Sequence, residues 1–423
     1  MNKLIILSFS ILVIVLSSCN EAPTEIGFPF INDTISVEAI SSIDNPFIVE
    51  QKVFKQHVHY INMAGFLVGK SGDFQSMTFI RFVAPKDTFK YITPDKIISS
   101  KVTLKALKYV YGDASAPLAF SVYDVNKLWT PKTSWDSVFN SNIDYINLNR
   151  KIGEYNSIVN VIDTGEYISF DLDKEITSEW MKFGNDTTQY INKGIALLPN
   201  ENSKNIRKFD GPTISDDPAK YYYSELNIHY YNADNIIDSI KLISAMEYSL
   251  SDAPADFNET DIVLQGAVQY NTELHFDLST LPNNIAIHSA SLELNLDLNK
   301  SKLSNNSTDS LRDNEIIATY RRASGADTST VYEKTVTPAY GQKTSNFISY
   351  NFEIFTFIVE QWILRDQKKG IVLLSKAPID KLYNTIDRYI FHGINDPDIN
   401  LRPKLKIIYS VRPNYSQNKK GAK

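Results

Sequence analysis

The chain has 423 residues, and 43 Lys and Arg against 49 Asp and Glu leave a formal net charge of -6. No basic cluster exceeds the Lys419-Lys420 tail, which argues against nucleic acid as a partner. A single cysteine leaves no internal disulfide to brace the fold, and 24 Tyr, 22 Phe and 4 Trp suit strands whose aromatic side chains pack on a pleated surface.

Met1-Asn2-Lys3, the apolar run Leu4 to Leu16 and the small residues before Cys19 have the layout of a secretory signal, and the run is too short for a comfortable membrane span. Leu16-Ser17-Ser18-Cys19 resembles the lipobox of bacterial lipoproteins, which implies cleavage after residue 18 and lipid attachment at Cys19. A plain signal peptide or an uncleaved anchor with an incidental cysteine is the alternative. Residues 20–45, with Pro23, Gly27 and Pro29, read as a flexible tether carrying the rest of the chain away from the lipid.

Beyond the tether the chain repeats itself. Gly72, Gln75, Thr78, Ile80 and Phe82 return at the same spacing as Gly266, Gln269, Thr272, Leu274 and Phe276. In the same order, Ile97 to Leu104 matches Ile287 to Leu294, and Phe170, Leu172, Ile176 and Trp180 match Phe352, Ile354, Ile358 and Trp362. Gly194 to Leu198 matches Gly370 to Leu374, Phe209 with Gly211 matches Phe391 with Gly393, and Leu226, Ile228 and Tyr230 match Leu405, Ile407 and Tyr409. Two-residue apolar spacing predicts strands, and the four-residue step to each Trp predicts a helical turn. The expectation is an all-β protein of two tandem antiparallel β-sandwiches, jelly-roll-like, each with one short helical turn. They span residues 46–231 and 236–412, with a basic disordered tail at 413–423.

Chemistry is sparse. No metalloprotease, nucleophile-elbow or phosphate-loop motif occurs. His57-Val58-His59 could share one face of a strand, but solvated histidines are the preferred reading, so no metal and no cofactor are expected. Asp171 and Asp173 should face outward, yet Phe355 stands where the second copy would need the second carboxylate, so no catalytic residue is assigned. The acidic loops Ser215-Asp216-Asp217-Pro218 and Asn395-Asp396-Pro397-Asp398 fall in equivalent places and read as turns rather than calcium loops. Trp129, Trp135 and Tyr222 are the candidates for stacking on a ligand. For the two tryptophans, packing inside the sandwich is the competing reading.

Leu274 to Ser279, Ile287 to Leu294 and Arg402 to Tyr409 resemble bacterial DNRLRE-type modules, β-sandwiches related to a carbohydrate-binding module family. Leu128 to Trp135 is similar to the tryptophan-bearing middle of those modules, with Pro131 where Glu is usual, and Phe170 to Trp180 resembles their strand-helix element. The second copy lacks the Trp-rich middle. Cys19 to Gly27 is similar to the start of Bacteroidetes outer-membrane lipoproteins of unknown function. The resemblance implies a β-rich outer-membrane lipoprotein able to bind glycan, and duplication without a catalytic constellation favours a non-enzymatic, membrane-tethered protein that binds or scaffolds a polysaccharide or an envelope protein. The alternative is a polysaccharide hydrolase or lyase with a site between the sandwiches.

Overall fold

The computed structural model describes residues 36–55, 65–83, 85, 89, 91–160, 166–184, 192–211, 222–304, 316–321, 339–343, 349–352, 355–364, 368–375 and 385–411. The signal, Cys19, the start of the tether, His57 and His59, the loop 215–218 and the tail lie outside them.

Strands β1 (Val37–Ser41) and β2 (Ile48–Lys55) come first. β3 (Phe66–Ser71) and β4 (Phe74–Phe82) form a hairpin whose two-residue turn places Gly72 at a φ of 58°, which glycine tolerates. Then follow β5 (Ile97–Gly112), β6 (Leu118–Val125), helix α1 (Trp135–Phe139), β7 (Ile146–Ser157), β8 (Glu166–Asp171) and helix α2 (Lys174–Phe183). β9 (Ile195–Pro199), β10 (Asn205–Phe209), β11 (Glu225–Tyr231) and the long β12 (Ile237–Asp252) end this part of the chain. The remainder holds β13 (Ile262–Gln265), β14 (Tyr270–Asp277), β15 (Ile285–Asn295), β16 (Ile316–Arg321), β17 (Ala339–Lys343) and β18 (Ser349–Phe352). Helix α3 (Thr356–Leu364), β19 (Lys369–Ser375), β20 (Arg388–Phe391) and β21 (Lys404–Val411) complete it.

Every described strand pairing is antiparallel, and the chain is an all-β protein of sandwich type, as its alternating apolar pattern predicts. One unit has the order β12-β11-β5-β10-β3-β4-β9-β6-β7, with β8 on β5. β12 pairs with β11 through residues 237–243 and then with β4 through residues 244–252, so one strand crosses the edge of the unit.

The second unit has the order β1-β21-β15-β18-β17-β16-β19-β14-β13-β20, with β2 on β14. The place of β12 is taken by the front of the chain: β1 pairs with β21, and β2 pairs with β14. The expected boundaries therefore change. Residues 37–45 are strand and turn rather than tether, residues 46–55 belong with the C-terminal sandwich rather than the N-terminal one, and residues 237–252 close the first unit rather than open the second. By strand pairing, one sheet system holds β3 to β12 and the other holds β13 to β21 with β1 and β2. The physical reason is that a repeated strand order has no intrinsic starting point: a strand preceding each copy in sequence can be its first strand or its neighbour's last.

The repeat motif is explained by packing. Phe82 leans on Trp180 with ring centroids 6.1 Å apart, and Phe276 on Trp362 at 5.3 Å, inside two separate apolar cores. Thr78 and Thr272 stand where the preceding strand peels away from its partner. Thr78 Oγ1 donates to the Leu67 carbonyl at 2.8 Å, and Thr272 Oγ1 donates to the Val263 carbonyl and accepts from the Val263 amide, each at 3.0 Å. Backbone groups that lost their ladder partners are thus satisfied by a hydroxyl.

A third apolar cluster joins the units: Leu67, Phe74 and Ile206 meet Val263, Ile386 and Ile390. Arg388 is fully buried beside it, donating to Gln265 Oε1 at 3.0 Å and to the Asp256 carboxylate and the Pro254 carbonyl. Its guanidinium lies 4.9 Å from the ring centroid of Phe74, 5.2 Å from Phe257 and 5.7 Å from Tyr270. Tyr109 Oη, from β5, donates to Asp387 at 2.8 Å and accepts from the Ile386 amide at 3.1 Å.

Candidate functional site

The outer sheet face of the first unit is built by alternation. On β8, Ile168 and Phe170 point into the core, so Tyr167, Ser169 and Asp171 point out. β5 offers Lys101, Thr103 and Lys105 beside them, in register Asp171↔Lys101, Ser169↔Thr103 and Tyr167↔Lys105. Most of this face is occupied by its own pairs: Lys101 with Asp171, Thr103 with Ser169 at 3.0 Å, and Lys241 with Glu225 at 3.0 Å. Tyr167 differs, with 63% of its surface exposed.

Lys105 organises the end of this face. Its Nζ lies 3.2 Å from Asp210 Oδ2 and 3.2 Å from the centroid of the Tyr222 ring, and the Asp210 amide donates to the Lys105 carbonyl at 2.8 Å. Burial works against the ammonium, but the hydrogen bond and ion pair with Asp210 outweigh it and hold the Lys105 pKa above the ordinary lysine value. Tyr222 is 37% exposed and has Lys105 against its ring. Two partly free tyrosines thus flank a fixed cation and carboxylate on a rigid sheet, a pattern able to stack on and hydrogen-bond a polar ring.

Behind this end lies Glu247, on β12 opposite Ile80. It accepts from the Ser224 amide at 3.2 Å and from the Ser224 hydroxyl. Burial raises its pKa to about 7, partly opposed by hydrogen bonds from Ser224 and Ser244, with the charge of Asp210 adding to the rise. The matching residue of the second unit is Gln51, opposite Leu274, which accepts from the Ile394 amide at 2.8 Å. The repeated glycines make room for both. A Cβ on Gly211 would stand 2.9 Å from Glu247 Oε2, and one on Gly393 2.7 Å from Gln51 Oε1.

The predicted stacking residues are not brought together. Trp129 is only 2% exposed, stacked at 5.3 Å on Phe79 and at 6.1 Å on Tyr248, and its Nε1 donates to the Lys193 carbonyl at 2.9 Å. With those contacts its ring is part of a buried apolar cluster. Trp135 begins α1, rests on Phe139 at 4.5 Å and packs against the same cluster. Tyr222 alone belongs to the candidate site.

Asp173 caps α2, accepting from the amides of Glu175 at 2.9 Å and Ile176 at 3.2 Å, which gives it a structural task. Where the two units meet, residues of both share the joining cluster, with Arg388 buried beside it. Among the described residues no group of three or more metal-ligating side chains occurs, and no helix is long and apolar enough to cross a membrane. Tyr167 was missed by sequence reasoning, although the alternation that turned Asp171 outward turns Tyr167 outward too.

No family model matches the chain, and no curated protein matches it. The solved structures to which it is similar include the crystal structure of the infectious bursal disease virus VP2 subviral particle, at 12% identity and a TM-score of 0.14, covering 90% of this chain and 78% of that one. The structure of infectious bursal disease virus Gt strain is similar at 11% identity and a TM-score of 0.08, covering 90% and 79%. Likenesses at such TM-scores bear on neither fold nor function.

Proposed function

We propose that this chain is a non-enzymatic lipoprotein, anchored in the outer membrane through Cys19, whose first sandwich binds a glycan on its outer face. The observation that carries this reading is Tyr167, an aromatic side chain 63% exposed on an ordered sheet and placed across from Lys105, whose ammonium lies against Tyr222. The resemblance of the strands to DNRLRE-type modules supports a carbohydrate ligand. Lipid attachment supplies membrane affinity without a spanning segment, leaving both sandwiches free to meet polysaccharide or an envelope protein. Carboxylates at the outer face are engaged by Lys101, Lys105 and Lys241, which favours recognition over hydrolysis.

Two experiments test this. A glycan array probed with residues 20–423 is expected to show a family of related ligands, and no signal on any glycan contradicts the binding role. Replacing Cys19 by Ala is expected to move the protein from the membrane fraction to the soluble one, and unchanged sedimentation contradicts lipid anchoring.

A further inference from the structure

At the equivalent end of the second unit the chain has built something different. Residues 394–403, which follow Gly393, pack against the turn between β1 and β2 and leave an open cleft with about 80 Å³ of space. Its walls are Ile43, Pro46, Ile48, Ile394 and Ile399, and Arg402 is its charged member. Arg402 stands three residues before Leu405, as Tyr223 stands three before Leu226, so the repeat has a different side chain at this position in each copy.

The guanidinium is oriented and available. Arg402 Nε donates to the Asp396 carbonyl at 2.6 Å, and among the described residues neither of its terminal nitrogens enters a hydrogen bond or ion pair. The nearby Asp396 carboxylate is turned elsewhere, to His392 Nδ1 at 2.8 Å and to the Asp398 amide at 2.9 Å. The fork of an arginine matches a planar carboxylate through two parallel hydrogen bonds, and branched apolar walls match methylene groups. A small hydrophilic anion would leave those walls unused.

We propose that this cleft binds a short-chain aliphatic carboxylate, its chain against the isoleucines and its carboxylate on the fork of Arg402. The site is independent of the Tyr167 face. It bridges the N-terminal segment and the C-terminal loop, so an occupant holds β1 and β2 in place and stabilises the closed unit by mass action.

Hexanoate, its uncharged analogue hexanamide and inorganic phosphate, titrated into the full chain with isoleucine δ1 methyls labelled with ¹³C, read the site directly. Hexanoate is expected to shift the methyl signals of Ile394 and Ile399 and to bind at least tenfold more tightly than hexanamide or phosphate. Arg402→Gln is expected to weaken hexanoate at least tenfold, with methyl signals outside the cleft unchanged. The proposal is overturned if hexanoate moves no cleft methyl, if hexanamide or phosphate binds as well, or if folded Arg402→Gln retains full hexanoate affinity. The hexanoate and hexanamide comparison on the unaltered chain decides the matter should the variant not fold.

Discussion

Glu247 and Gln51 occupy one position of the repeat with different side chains, and the difference makes a pH prediction. The ordinary glutamate pKa is 4.5, and burial raises that of Glu247 to about 7 in the folded chain. Between those values the folded state holds a proton that the unfolded state releases, so stability falls as pH rises. The contribution is complete below about 4.5 and lost as pH climbs through 7, and the whole change is on the order of 3 kcal/mol. Gln51 shows that the repeat accepts a neutral amide here, so Glu247→Gln should fold. In thermal melts from pH 5 to pH 8.5 the variant is expected to lose much of the decline seen in the unaltered protein. An unchanged pH slope contradicts a buried, proton-holding Glu247. Sequence patterning showed this site only in part: Phe209-x-Gly211 and Phe391-x-Gly393 were legible as repeats, but a glycine that clears space for a distant carboxyl gives no local signal. Trp129 illustrates the same limit, because a tryptophan near a loop reads alike whether Phe79 or a sugar lies against it.

At the scale of elements, alternation and the four-residue step made β4, β5, α2 and the closing strands legible together with their counterparts. The phase of the repeat was not legible, because β1–β2 and β12 both precede a copy and only tertiary pairing tells which unit each completes. That pairing predicts a permutation. Val37 of β1 lies opposite Ser410 of β21, so the two ends of the described chain are adjacent. A circular permutant with residue 411 joined to residue 36 by a short linker, and opened between residues 55 and 65, keeps every pairing and is expected to melt within a few degrees of the parent. A chain lacking residues 1–55 loses β1 and β2 and is expected to be less stable. Equal stability of the two contradicts the closure of the second unit by the N-terminal segment.

For the whole molecule, the joining cluster and Arg388 decide whether the sandwiches act as one body. A buried cation that satisfies Gln265, Asp256 and the Pro254 carbonyl leaves those groups without it when removed, at a cost on the order of 3 kcal/mol. Arg388→Met is expected to lower the melting temperature and to split one calorimetric transition into two, and a single unshifted transition contradicts the coupling. Such a joint holds two sites in a fixed relation, the tyrosine-bearing end of the first unit and the Arg402 cleft of the second. What the copies share, Phe82 with Phe276 and Trp180 with Trp362, builds the cores, whereas Tyr167 and Arg402, which they do not share, stand at an exposed face and a cleft. Isothermal titration of the glycan selected on the array is the most direct test of this account. Tyr167→Ala should bind at least tenfold more weakly, about 1.4 kcal/mol, while Tyr231→Ala, at the far end of the same sheet face and 40% exposed, should bind as the parent does. Undiminished affinity in Tyr167→Ala would contradict it.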